Sequence, residues 1–339
     1  MIEIIIFLFL NLSIFLMSNL FLKKKFLLNQ SGELHQKFVE KLNIPLIIGF
    51  YFLITFTYIF FSLEKLIFLI IIFILGLFSD LRILNSPQKK FFLQSLIFIF
   101  FIFFYDLHIL NTRIELLDRV LDINFFNFIL VFFCLMVLIN GTNFIDGLNG
   151  LVIGYYLIVS IFLINSGFYE DLLVNVNKIF IYFLTFTMMW IANMMRIGFL
   201  GDSGSYLLGA FFGVILIKFH QNFSLISPYY IILLLWYPCF ENLFSIMRKF
   251  SHNRSPIFPD SNHFHQLVFY YVKENYKIKD TYSNNISSVF ILIFVSIFIC
   301  LGSIDPYSTI LQISLIIIFS VMYFIIYKIL LKFKLYFKK

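Results

Sequence analysis

Apolar runs long enough to cross a bilayer recur along this whole chain, and that restricts it to two architectures. A lipid-spanning backbone must satisfy its own polar groups, as helices or as a closed barrel. Barrel strands alternate polar and apolar residues; these runs do not. The expectation is therefore an all-α, polytopic helical membrane protein. Composition agrees: 61% of the 339 residues are hydrophobic and 13% charged, against roughly 25% charged in soluble domains.

The runs predict eleven transmembrane helices, near 3–22, 44–62, 65–78, 91–105, 125–139, 150–166, 178–195, 205–219, 226–247, 285–302 and 307–328. Several are short, which implies tilt or interfacial ends. The first run has its Lys cluster after it and no small-residue cleavage site, so it reads as a retained span rather than a signal peptide. Cys134, Cys239 and Cys300 lie in or beside apolar segments, with no spacing that suggests a metal site or a disulfide framework.

Placing the N-terminus outside and alternating leaves only Lys65, Arg113, Arg119, Lys178 and Lys218 of the 25 Lys and Arg on the outer side. Cytoplasmic loops carry the excess of Lys and Arg, so the orientation is N-out, C-in. The net charge of +7 is then mainly a topology signal, and nucleic acid is not an expected partner. One outer loop, 106–124, carries acids and two Arg and is expected to form a surface helix. The whole chain, 1–339, reads as one integral membrane domain.

Five polar segments fall on the predicted cytoplasmic face: 31–49, 76–94, 140–151, 193–209 and 254–267, the last inside the long polar stretch 248–284. The most telling is NGTNFIDGLNGL, which interrupts two apolar walls. Asp80, Asp146 and Asp202 each lie at the inner end of a span. An ionised Asp costs about 2.5–3.5 kcal/mol at mid-bilayer and less at the edge, so three at one mouth call for a compensating charge. Asp and Asn donors without Cys favour Mg²⁺, or Mn²⁺, over zinc. Gly141, Gly147, Gly150, Gly201 and Gly204 let backbone approach phosphate oxygens, and Lys89, Lys90 and Arg82 can neutralise them. Taken singly, each segment has a plainer reading, as a solvated loop, a turn or a helix cap. No plain reading predicts that all five share one face.

At these residues the chain resembles the polyprenyl-phosphate N-acetylhexosamine-1-phosphate transferase family, within glycosyltransferase family 4. The resemblance runs from about 31 to 267. It comprises His35, Pro45 and Gly49; then Asp80, Lys89 or Lys90, and Gln94; then Asn140, Asn143, Asp146, Gly147, Asn149, Gly150 and Leu151. Asn193 with Gly201–Ser205 follows, and last Pro259, Asp260, His263 and His265. The family commonly has Asp at Ser79 and at Asn149, His at Gln266, and Asp at Glu241. These departures put in doubt any mechanism that needs both members of an Asp pair.

The resemblance implies transfer of a sugar-1-phosphate from a UDP-sugar to undecaprenyl phosphate, giving a lipid-linked sugar pyrophosphate and UMP. It would start a cell-envelope glycan at the bacterial inner (cytoplasmic) membrane, with the active site facing the cytoplasm. It implies metal binding by Asp202 with Asn143, and positioning or deprotonation of the lipid phosphate by Asp80. Asp146 would orient substrate or metal-bound water. Lys89, Lys90, Asn140, Asn143, Asn149, Asn193, Arg254, Asp260, His263 and His265 would contact substrate. A homodimer is plausible by the same resemblance.

The rival readings are a transporter or ion channel with a cytoplasmic acidic mouth, and an inactive transferase homologue. Transporters place sites near mid-membrane, often between inverted repeats; here the acids gather at one face and no repeat is evident. A CDP-alcohol phosphotransferase would need Ala-Arg after the D-G pair, and that is absent.

Overall fold

The computed structural model describes residues 13–14, 16–28, 43–59, 63–164, 176–251, 253, 255 and 261–337, without the side chains of 63–66. His35, Arg254, Pro259 and Asp260 lie outside the described residues, as does most of the expected first span; residues 16–24 are helical. The described chain is helical, with no strand and one isolated bridge between Leu28 and Pro45.

The helices are α1 (Ile48–Ile59), α2 (Leu63–Asp80), α3 (Pro87–Phe104), α4 (Glu115–Leu121), α5 (Asn124–Ile145), α6 (Leu151–Phe162) and α7 (Val176–Met194). They continue as α8 (Gly201–Asn222), α9 (Pro228–Leu234), α10 (Trp236–Ser251), α11 (Phe264–Tyr276), α12 (Asp280–Gly302) and α13 (Thr309–Phe337). Every expected span from the second onward meets a helix at nearly its place. The expected surface helix in 106–124 is α4. Among the described residues, α3, α5, α8, α12 and α13 are each long and apolar enough to cross a membrane, and α9 with α10 makes a sixth if counted as one span. α1 and α6 have 12 residues each, or about 18 Å at 1.5 Å per residue, against about 30 Å of hydrocarbon.

The expected single span at 226–247 is broken, with a 75° bend between α9 and α10. Pro238 explains it. A proline ring clashes with the carbonyl four residues back and offers it no N–H. That carbonyl belongs to Leu234, where α9 ends. The Tyr155 hydroxyl donates to it at 2.5 Å, so the freed acceptor is satisfied inside the protein, as a lipid-embedded break requires.

α8 is the most enclosed of the span helices, packed between α2, α5 and α1. Phe211 stacks on Phe56 with ring centroids 4.0 Å apart, and Phe212 on Tyr156 at 4.3 Å. Thr142 and Tyr156 share a buried hydroxyl–hydroxyl bond of 2.6 Å. α2 approaches α8 so closely that a Cβ on Gly76 would collide with the backbone of Asp202 and Ser203. The N-terminal end of α8 thus meets the C-terminal ends of α2 and α5, and α3 begins beside it. The other end of α8 carries Gln221, which donates to the Asp106 and His108 carbonyls of the 106–114 loop. The bundle therefore has two distinct ends.

Candidate functional site

The site is built where α8 begins. The first N–H groups of a helix have no partner within it, and α8 draws acceptors from α2. Asp80, the last residue of α2, accepts the Asp202 N–H at 2.8 Å and the Ser203 N–H at 3.0 Å through its two carboxylate oxygens. Gly201 has φ +71, and a Cβ there would lie 2.8 Å from Asp80 Oδ2. Beside it, the Ser79 hydroxyl donates to Asp202 Oδ2. The same oxygen accepts from Lys90 Nζ at 3.1 Å, with both side chains about one-fifth exposed (20% and 22%). Lys90 reaches it from the first turn of α3, which Pro87 opens and Ser86 caps. Lys89 is exposed on the same turn.

α5 brings the amides. Asn143 Oδ1 accepts from the Ser205 hydroxyl at 3.0 Å. Asn140 donates to Gln94 Oε1 at 3.2 Å and to the Met136 carbonyl at 2.8 Å. Gln94 is fully buried one turn after Lys90 on α3, and its Nε2 has no partner. Asp146 follows α5 as its C-cap, half-buried. Burial, then the charges of Asp202 and Asp80, push its carboxyl well above the ordinary carboxylate range. The three acids therefore share one electrostatic environment, although they come from three separate stretches of sequence.

Asn149 and Asn193 are buried. Asn193 Oδ1 accepts the Gly150 N–H, and its Nδ2 donates to the Gly198 carbonyl at 3.0 Å. It ties the turn 146–150, where Gly150 takes φ +72, to the segment that enters α8. The Asn149 N–H donates to Asn284 Oδ1 at 2.7 Å, and its side-chain amide to Asn285 Oδ1 at 3.0 Å. Asn285 in turn donates to the Met194 carbonyl at 3.1 Å. Asn284 and Asn285 were not singled out from the sequence. The only signal was the polar start, SNNISS, of an otherwise apolar span.

The segment entering α11 closes over this turn. His265 is buried with Nε2 against Gly147, where a Cβ would collide with it. His263 is held by Glu241 of α10, a fully buried carboxylate: Nδ1 lies 2.9 Å from Glu241 Oε1. That oxygen also accepts the Phe264 N–H at 3.2 Å, and Tyr323 of α13 donates to Oε2. From the sequence, Glu241 is a family departure whose plainer reading is pairing with Arg248 or Lys249; its partners here are instead His263, the Phe264 N–H and Tyr323. Its three partners make it the clamp that docks the histidine segment onto two helices. Asp80, Asp146, Asp202, Lys90, Asn140, Asn143, Asn149, Asn193, His263 and His265 thus gather at one end of the bundle.

Among the described residues, no three His, Cys, Asp or Glu side chains form a ready-made metal cage. Magnesium does not need one: one or two carboxylates suffice, with water and substrate phosphate filling the shell. The donor set is oxygen only, from Asp202, Asp146 and the Asn143 amide, and Lys90 pairs with only one of the three neighbouring carboxylates. The residues fit a hard divalent cation.

Residues 62–220 match the model of glycosyl transferase family 4. That stretch contains Asp80, Lys90, Asn143, Asp146, Asn193 and Asp202; the histidine segment lies beyond it. The chain is similar to a phospho-N-acetylmuramoyl-pentapeptide-transferase of Prochlorococcus marinus strain MIT 9312, at 29% identity over 245 residues, 66% of this chain and 67% of the relative. A protein of the same name from strain MIT 9215 is 29% identical over 217 residues, 59% of this chain and 58% of the relative. An undecaprenyl-phosphate alpha-N-acetylglucosaminyl 1-phosphate transferase of Thermotoga maritima is 28% identical over 130 residues, 38% of this chain and 39% of the relative.

Proposed function

We propose that the chain is a member of glycosyl transferase family 4, whose model its residues 62–220 match, and that it transfers a sugar-1-phosphate, of the N-acetylhexosamine class, from a UDP-sugar to undecaprenyl phosphate. The observation that carries this reading is the gathering of Asp80, Asp146 and Asp202 at one end of the bundle, with Lys90 in contact with Asp202. The names of the relatives supply the substrate class.

In the reaction, an oxygen of the lipid phosphate attacks the sugar-bearing phosphorus of the UDP-sugar. The new P–O bond forms as the pyrophosphate bond breaks, and UMP leaves with the electron pair. Two anions must approach, so the site's first task is to screen repulsion. Lys90 and the exposed Lys89 supply positive charge at the start of α3. A Mg²⁺ or Mn²⁺ ion held by Asp202, with Asn143 and Asp146 as further oxygen donors, would neutralise the diphosphate. Asp146, at the C-terminal end of α5, would orient substrate or metal-bound water. Asn140, held by the buried Gln94, offers its amide to the donor. His263 and His265 approach it from the cytoplasmic side, with Arg254 and Asp260 nearby in sequence. Asn149 and Asn193 shape the turn that carries Asp146.

The test is direct. Purified protein in detergent is incubated with undecaprenyl phosphate, Mg²⁺ and a panel of UDP-N-acetylhexosamines, and UMP release is measured. Release that needs both lipid and metal, and is lost in Asp202→Asn, is the expected result. Folded protein that releases no UMP with any donor overturns the reading.

A further inference from the structure

We propose that Asp80 is a positioning residue: together with Ser79 it grips Asp202 from both sides and sets its place, rather than reacting with substrate itself. This rests on the reading of Asp202 as part of a transferase site. The two neighbours divide the work. Ser79 donates its hydroxyl to the Asp202 carboxylate, and Asp80 accepts the Asp202 backbone N–H at 2.8 Å. Asp80's second oxygen is engaged by the Ser203 N–H at 3.0 Å. One helix end therefore holds the side chain and the main chain of a single residue on another helix.

Helix electrostatics favour the arrangement. A carboxylate at its own helix C-terminus is unfavourable, because the partial charge there is negative. Asp80 sits at the C-terminus of α2, and the N–H groups it caps are the positive end of α8. Its position makes sense as a bridge between the two. The neighbourhood is shaped for it: Gly201 leaves room where a Cβ would lie 2.8 Å from one Asp80 oxygen, and Gly76 lets α2 reach the Asp202–Ser203 backbone. Lys90 then completes the grip, 3.1 Å from the Asp202 oxygen that Ser79 also holds.

The experiment compares Asp80→Asn, Asp80→Ala and Gly201→Ala with the full-length wild type in detergent. Asn keeps one acceptor oxygen and cannot serve as a base; Ala keeps neither. Two readouts are taken: kcat and KM of UMP release across pH, and hydrogen exchange of the Asp202 and Ser203 amides without substrate. The expected result for Asp80→Asn is kcat within about tenfold of wild type, with an unchanged pH profile. Asp80→Ala is expected to lose about 100-fold or more in kcat and to exchange both amides faster. Gly201→Ala, which leaves Asp80 intact, should fall with Asp80→Ala in both readouts. The inference is overturned if Asp80→Asn, folded and with protected amides, is as inactive as Asp80→Ala. It is overturned equally if the amides exchange at the wild-type rate in Asp80→Ala. A wild type that releases no UMP defeats the transferase reading, while the exchange arm still decides whether Asp80 holds α8.

Discussion

Asn149 carries one atom's difference from the acid common at its position in the family, and its surroundings are matched to the amide. Its Nδ2 donates to Asn285 Oδ1, while the Asn285 amide is committed to the Met194 carbonyl. A carboxylate at 149 would face an acceptor, and Asn285 could turn to meet it only by abandoning Met194. Asn149→Asp is therefore expected to destabilise the protein by about 1–3 kcal/mol, the cost of leaving a buried polar group unpaired. Thermal unfolding in detergent checks this; an unchanged or raised midpoint would show that the turn tolerates the acid. The sequence marked Asn149 as part of a site and did not reveal its pairing, because the partner lies 136 positions away. Asp80 has the same history. Its place at a span's inner end was readable from apolar runs alone, while its bonds to residues 202 and 203 depend on how two helices dock.

At the scale of elements, the contact of α2 with α8 decides whether the site exists. Span positions were legible because burial in lipid demands long apolar helices. The break at Leu235 was written in Pro238 and yet not anticipated, since a proline in a span kinks it by an amount that depends on what satisfies the freed carbonyl. Nor could periodicity show which helix α8 would lie against. Gly76 is the clearest case: a Cβ there would strike backbone, which cannot swing aside. Gly76→Ala is expected to push α2 away from α8, costing about 1–3 kcal/mol as over-packing, and to lower activity by displacing Asp80 and Ser79 from Asp202. Gly213→Ala is the comparison, because its Cβ would meet only the side-chain ends of Leu135 and Leu138. Unfolding midpoints and UMP release measured side by side should rank Gly76→Ala well below Gly213→Ala. Equal effects would mean that close approach of α2 is dispensable.

For the whole molecule, the distribution of charge and the distribution of chemistry coincide. Lys and Arg alone predicted which loops share the cytoplasmic face. The described parts of those loops do meet at one end of the bundle, while the 106–114 loop meets the far end of α8. This coincidence yields a prediction about orientation. Lys89 is exposed at the start of α3, and Arg119 lies beyond that helix's other end with its side chain 73% exposed in an ion pair with Glu115. In a background with Cys134, Cys239 and Cys300 replaced by Ala, Lys89→Cys should react with an impermeant maleimide only in inverted vesicles. Arg119→Cys should react only in intact spheroplasts. The reverse pattern would put Asp80, Asp146 and Asp202 on the outer face, away from the cytoplasmic UDP-sugar, and the proposed reaction could not occur there. Labelling of both positions from one side would mean that α3 does not cross, which would remove the odd span count on which N-out, C-in rests.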